Sequence, residues 1–224
     1  MTILVVTGTD TGVGKTVVTA ALAATYLARG ASVGLVKPAQ TGVGPEEPGD
    51  LAEAARLAGE VSLHEGVRLP DPLAPDTAAR VAGLPLPSLP EQQELVRSVA
   101  SNHDVTVVEG AGGVLVRLGE DFTLVDVVAP YDVRWVVVAR AGLGTLNHAT
   151  LTVEALRTRG AGAIGLVIGS WPAYPGAAEQ HNLLDLPRVT GVDLLGQVPE
   201  GAAGLPVERF RLQAPVWLPG LDRH

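Results

Sequence analysis

Gly12, Gly14, Lys15 and Thr16 stand in the run "VVTGTDTGVGKT" (Val5–Thr16), and these residue types at this spacing hold nucleotide phosphates. Small residues let consecutive backbone N–H groups wrap a β-phosphate. A lysine neutralises the β and γ oxygens, and a hydroxyl reaches Mg2+. The strict pattern puts its first glycine at Thr9, but here it falls one residue earlier, at Gly8. The segment therefore reads as a variant phosphate loop, with Gly12, Val13, Gly14, Lys15, Thr16 and Val17 against the nucleotide. An ordinary glycine-rich turn is the competing reading, and it leaves unexplained why an apolar run precedes the loop and a helical run follows it. Asp10 is the odd member: an anion inside a loop that binds anions.

Such a loop needs a strand before it and a helix after it. "ILVV" (Ile3–Val6), "SVGLVKP" (Ser32–Pro38), "VTVVEG" (Val105–Gly110), "RWVVVAR" (Arg134–Arg140) and "GAIGLVIG" (Gly162–Gly169) are continuous apolar runs. Strands buried on both faces of a parallel sheet read this way. "TVVTAALAATYLARG" (Thr16–Gly30) reads as a helix stopped by Gly30. A second helix is expected from Thr145 to Arg159, with Leu146, Ala149, Val153 and Leu156 on one face and Gly160 behind it. The fold class is α/β: a doubly wound, mainly parallel sheet of P-loop NTPase type with helices on both faces.

The 224 residues suit a single domain, 1–224, around one core. Residues 42–90 shift to Pro, Gly, Asp and Glu, with one clear helix, "DLAEAARLAG", from Asp50. A loosely structured stretch of that length inside a domain reads as a functional insertion or lid. The tail from Gly201 carries no signal beyond packing.

Composition removes several classes of function. The absence of cysteine excludes disulfides, thiolate metal sites and cysteine nucleophiles, and suits a reducing cytoplasm. A net charge of -8 without a basic cluster argues against a nucleic-acid partner. "MTILVV" has no basic leader and no apolar run approaches bilayer length. A cytoplasmic protein acting on small molecules, with no membrane partner, is expected.

The nucleotide machine can be narrowed. The Asn-Lys-x-Asp run by which switch GTPases read guanine does not occur. Dimeric partitioning and metal-insertion ATPases carry a second lysine six residues before the loop hydroxyl, where this chain has Asp10. "TGTDTGVGKT" (Thr7–Thr16), "KPAQTG" (Lys37–Gly42) and "VEGAGG" (Val108–Gly113), with "GTLNH" (Gly144–His148) further on, together resemble the dethiobiotin synthetase family. The resemblance covers most of the chain and is weakest in 42–90 and the tail. It implies an ATP- and Mg2+-dependent ligase of biotin synthesis that joins CO2 to 7,8-diaminononanoate and closes a ureido ring. Two alternatives remain: a nucleotide-dependent assembly or metal-insertion ATPase, and a cobyrinate-type amide ligase. The latter normally carries a glutaminase domain, for which this chain has neither length nor cysteine.

The residues can be weighed against that chemistry. A carbamate has a poor leaving oxygen, so ATP must phosphorylate it before the second amine attacks, and cations are needed on both sides of the transferring group. Lys15 can bridge the phosphates. Lys37, at the carboxyl end of a strand, is where such sheets place catalytic groups, although a solvated strand-end lysine is the plainer reading. By the resemblance, Lys37 contacts carbamate and phosphate, Thr11 lies near the carbamate, and Thr41 contacts substrate where relatives often have Ser. Mg2+ takes oxygen ligands, which Thr16, Asp50 and Glu109 would supply. An unpaired Glu109 at the mouth of the sheet would be costly without a cation, while Asp50 also fits an ordinary helix N-cap. Neither lysine is expected in the core.

The remaining assignments follow from the family. Gly110, Ala111 and Gly112 border the nucleotide beside Glu109. Gly144, Thr145, Leu146 and Asn147 offer a helix N-terminus to the substrate's remote carboxylate across a homodimer interface. Gly169 and Ser170 stand where relatives commonly place an Asn that reads adenine, and Pro199, Glu200 and Gly201 resemble the other base-contacting segment. Asn182 or a backbone carbonyl is the remaining candidate reader. Asp126, Arg140, His148 and Trp171 carry no assigned role.

Overall fold

In β1 (Thr2–Gly8), alternate side chains enter two different cores: Leu4 and Val6 face one buried cluster, Ile3 and Val5 the other. A strand with apolar groups on both faces must lie inside a sheet covered on both sides. The computed structural model describes residues 1–162 and 164–223; Ala163, within the expected run Gly162–Gly169, lies outside them. Among the described residues β1 is joined by β2 (Val33–Thr41), β3 (Ser62–Leu69), β4 (Val105–Gly113), β5 (Val133–Ala139), β6 (Ile164–Trp171) and β7 (Leu194–Pro199). They form one sheet in the order β3-β2-β4-β1-β5-β6-β7, and these pairings are all parallel.

Helices α1 (Lys15–Ala28), α2 (Asp50–Ala58) and α8 (Val207–Trp217) cover the face of Leu4 and Val6. Helices α4 (Leu89–Ser101), α5 (Leu124–Val128), α6 (Thr145–Thr158) and α7 (Ala177–Thr190) cover the other. A short α3 (Pro75–Ala82) packs Ala78 and Ala79 on Leu69 of β3. The amphipathic reading of α6 holds: Ala149, Val153 and Leu156 are buried, with Leu146 partly so. Each fully buried leucine contributes about 1.5 to 3 kcal/mol, so Leu156→Ala should cost about 2 to 5 kcal/mol once its cavity is counted.

The structure corrects the expectation of a loose segment at 42–90. That stretch contains α2, β3 and α3, and β3 pairs with β2 from Gly34↔Ser62 to Thr41↔Leu69. As an edge strand, β3 is only half-buried and carries His64, Glu65 and Arg68. It therefore lacks the apolar run that marked the inner strands. The six-residue β7 was equally silent. Among the described residues, no helix is long and apolar enough to cross a membrane.

Candidate functional site

Strand register brings the charges together. Val36 of β2 sits opposite Val108 of β4, so Lys37 and Glu109 are neighbours, and the two-residue alternation puts both on the face of Leu35 and Val107, under α1 and α2. The lysines are not exposed as expected: Lys37 is 3% and Lys15 8% accessible, and Glu109 is fully buried. The Lys37 ammonium has three acceptors, Glu109 Oε1 at 2.7 Å, Asp50 Oδ2 at 2.6 Å and the Gly110 carbonyl at 3.2 Å. Three donors meeting three acceptors is full satisfaction for an ammonium. Burial opposes its charge, but Glu109 and Asp50 outweigh that and hold the group above its ordinary pKa.

Thr16, at the start of α1, donates Oγ1 to the same Glu109 oxygen at 3.1 Å. Glu109 Oε2 is buried with no hydrogen-bond partner, a costly arrangement for a carboxylate oxygen. Asp50 is not the cap of its helix. Gly49 takes that place, and the Asp50 N–H donates to Gln40 Oε1 at 2.8 Å. Lys37 thus joins the Asp50 and Glu109 carboxylates, with the Thr16 hydroxyl on Glu109, and Mg2+, which usually takes one or two carboxylates with water and phosphate, could be held by such a set. No group of three His, Cys, Asp or Glu side chains suited to a metal occurs among the described residues.

The phosphate loop accounts for Asp10. Its Oδ1 accepts the Thr11 N–H at 2.7 Å, its Oδ2 accepts Arg140 Nη2 at 2.6 Å, and its carbonyl accepts Lys15 Nζ at 3.1 Å. An anion here takes no phosphate; it orders the loop. Burial, and then the charge of Lys37, lower the Lys15 pKa. The early glycine has a steric cause. A Cβ on Gly8 would lie 2.7 Å from the Asp10 carbonyl oxygen and 3.1 Å from Lys15 Nζ.

Thr11, Gly12, Gly14, Lys15, Thr16, Lys37, Thr41, Asp50, Glu109, Ala111 and Gly112 line one cavity of about 750 Å³. Residues Pro72, Leu73, Ala74 and Pro75 form another part of its wall. The Val13 side chain is buried in the core and that of Val17 packs, partly buried, against it; neither residue lines the cavity. Gly169, Ser170, Pro199, Glu200 and Gly201 lie outside this cavity. Glu200 N–H donates to the Trp171 carbonyl at 2.7 Å, tying the two expected base segments together. A Cβ on Gly169 would come within 2.0 Å of the Val13 carbonyl oxygen, so the end of β6 rests on the phosphate loop with no room for a side chain.

Gly144, Thr145, Leu146 and Asn147 lie at the α6 N-terminus, also outside the cavity. The Thr145 hydroxyl is buried without a hydrogen-bond partner, whereas Gly144, Asn147 and His148 are exposed. Asn182 cannot read a base: its Nδ2 donates to the carbonyls of Ala141 at 2.7 Å and Gly142 at 3.2 Å. Asp126 closes a capping box with Thr123 at the start of α5. Sequence reasoning missed Gln40 and Arg140. Gln40 stood in the quoted "KPAQTG", and a polar residue amid buried strand positions was its only signal.

A family model described as an AAA domain matches residues 2–203. The ATP-dependent dethiobiotin synthetase BioD of Rhodococcus jostii is 57% identical over 218 residues, covering 97% of this chain and 94% of that protein. The protein of the same name from Streptomyces coelicolor is 55% identical over 225 residues, covering 99% and 94%. Among solved structures, the septum site-determining protein MinD of Pyrococcus horikoshii, complexed with Mg-ADP, aligns with a TM-score of 0.61 over 95% of this chain and 89% of that one. At 17% identity that likeness concerns the P-loop NTPase fold alone. The identity with the two synthetases extends over nearly the full length of this chain and of theirs, and the chain belongs to the ATP-dependent dethiobiotin synthetase family.

Proposed function

We propose that the protein closes the ureido ring of dethiobiotin from 7,8-diaminononanoate, CO2 and ATP, in biotin biosynthesis. One amine adds to CO2 and loses a proton, giving a carbamate. A carbamate oxygen then displaces ADP from the γ-phosphorus, forming a carbamic–phosphoric anhydride. The second amine attacks the carbonyl carbon, phosphate leaves, and the ring closes. Lys15 takes the β and γ oxygens, and Lys37 takes the carbamate and the transferring phosphoryl, where preorganised cations act most strongly. Thr11 and Thr41 hold the carbamate and amine end. Thr16, Asp50 and Glu109 would hold Mg2+, which when bound neutralises phosphate charge.

The observation that carries this reading is the Lys37 ammonium fixed between Glu109 and Asp50 at the edge of the phosphate loop, with Glu109 Oε2 left without a partner. A buried pair that ends in an unsatisfied oxygen suits a site completed by ligand charge. The rest of the substrate belongs to the α6 N-terminus, whose dipole and exposed Gly144 and Asn147 suit a carboxylate. That site is offered by a second copy of the chain. Leu143, Leu151 and Leu184 around it are 95%, 56% and 77% exposed, apolar surface that a homodimer would cover. The chain works as one ligase domain in the cytoplasm, with Asp50 and residues 72–75 of the 42–90 stretch walling the site.

The test is phosphate release with ATP, Mg2+, bicarbonate and the diamino acid, each omitted in turn. Turnover that persists without the diamino acid overturns the reading. Sedimentation of the active species tests the dimer, and full activity from a monomer removes it.

A further inference from the structure

Gln40 is 3% exposed, a carboxamide buried near the end of β2 with no part in the chemistry described so far. Both ends of its amide are committed. Oε1 accepts the Asp50 N–H at 2.8 Å and Nε2 donates to the Thr41 carbonyl at 3.2 Å. These two bonds also fix which end is oxygen, since the backbone N–H needs an acceptor and the carbonyl a donor.

The bond to Asp50 answers a specific need. The first N–H groups of a helix have no partner within it, and α2 begins after Gly49, which has no side chain to serve as a cap. A residue on a neighbouring strand supplies the acceptor instead. Gly49 permits it: a Cβ there would sit 2.7 Å from Gln40 Oε1. Asp50, the residue so capped, places its carboxylate 2.6 Å from Lys37 Nζ. Its side chain is 40% exposed, so its own burial does not fix it. Gln40 lines the site cavity between Thr41 and Asp50.

We propose that Gln40 is a positioning residue: it caps α2 from β2, aims the Asp50 carboxylate at the nucleotide–cation site, and through the Thr41 carbonyl locks that carboxylate to the substrate side of the cavity. With its amide bound to the Asp50 N–H and the Thr41 carbonyl, it acts through Asp50. The inference rests on the reading of Asp50 as a carboxylate of that site.

The test compares ATP affinity with and without Mg2+, by calorimetry, for the wild type, Gln40→Met, Asp50→Asn and the double variant. Met keeps the side-chain length and loses both bonds. In Gln40→Met the enhancement of affinity by Mg2+ falls by about tenfold, the scale of one hydrogen bond to a positioned group, while Mg2+-free affinity is unchanged. The double variant is no worse than Asp50→Asn alone, because one residue acts through the other. A second measurement needs no ligand: exchange of the Asp50 amide hydrogen, followed by NMR, accelerates in Gln40→Met. An unchanged Mg2+ enhancement in Gln40→Met, beside a reduced one in Asp50→Asn, overturns the inference alone. Multiplying losses in the double variant do the same. An unchanged enhancement in Asp50→Asn overturns the underlying reading of Asp50 and the inference with it.

Discussion

Arg140 Nη2 lies 2.6 Å from Asp10 Oδ2, joining the chain that leaves β5 to the phosphate loop. Both side chains are about half exposed, and pairs in that setting contribute at most about 1 kcal/mol to stability. Asp10 has a second duty, accepting the Thr11 N–H, which Arg140 does not share. Arg140→Ala should leave both the melting curve and ATP affinity close to wild type. Asp10→Ala should weaken ATP binding more, because the loop loses its internal bond. Equal losses in the two variants would mean that the ion pair, not the loop bond, is what matters.

Lys37 is expected to be essential twice over. Lys37→Ala should lower turnover by about a hundredfold or more, the scale for one lost preorganised charge partner. It also leaves Glu109 as a buried charge without its cation, which costs about 3 to 5 kcal/mol. Urea denaturation should register that loss, and adding Glu109→Gln should recover much of the stability without restoring turnover. A stable Lys37→Ala protein would show that water reaches Glu109.

Lys15 should set the alkaline limit of nucleotide binding. Burial and then Lys37 lower its pKa, while Lys37 itself is held high, so on raising the pH Lys15 loses its proton first. Bound triphosphate favours the protonated lysine and raises its pKa. ATP affinity should therefore fall as pH rises through the free-chain Lys15 value, which lies below the ordinary lysine pKa of about 10.4, and binding there should take up a proton. Calorimetry in buffers of different ionisation enthalpy measures both. Lys15→Ala should lose the pH dependence together with at least about a hundredfold in turnover.

Glu109→Gln should weaken the dependence of nucleotide affinity on Mg2+, since an amide is a poor ligand for a hard cation. Asp50→Asn should do the same, more mildly. Gly49 holds the cap position, so Asn in place of Asp50 loses charge and not a cap. A Mg2+ titration indistinguishable from wild type would remove the residue in question from the cation site.

Base selectivity should be shallow. Ser170 is exposed and Asn182 is committed to the 141–142 carbonyls, so base contacts fall to backbone groups, and one such bond is worth at most about tenfold. GTP, CTP and UTP should support turnover within about tenfold of ATP. Gly169→Asn should not restore adenine reading. It should weaken all four nucleotides, because any Cβ there meets Val13. A thousandfold preference for one base, about 4 kcal/mol, would reveal a specific pocket.

The inner strands and the phosphate loop were legible because their burial on both faces leaves continuous apolar runs, and because the loop's chemistry tolerates few residue types. β3 was not, since an edge strand trades that run for His64, Glu65 and Arg68. Although they do not end their strands as expected, since β2 continues to Thr41 and β4 to Gly113, Lys37 and Glu109 were legible as charges closing apolar runs. Their mutual contact was not, because it depends on the register between β2 and β4, which no local pattern encodes. Gln40 was hidden for the same reason: its partner Asp50 is ten residues away in a different element.

That register also limits how the chain can change length. Lys37 and Glu109 share a face with Leu35 and Val107, so the Lys37 ammonium is in phase with the packing of the strand beneath α1. Adding or deleting one residue within Val33–Val36 would rotate Lys37 to the α4 side and strand Glu109. These four positions admit substitution only.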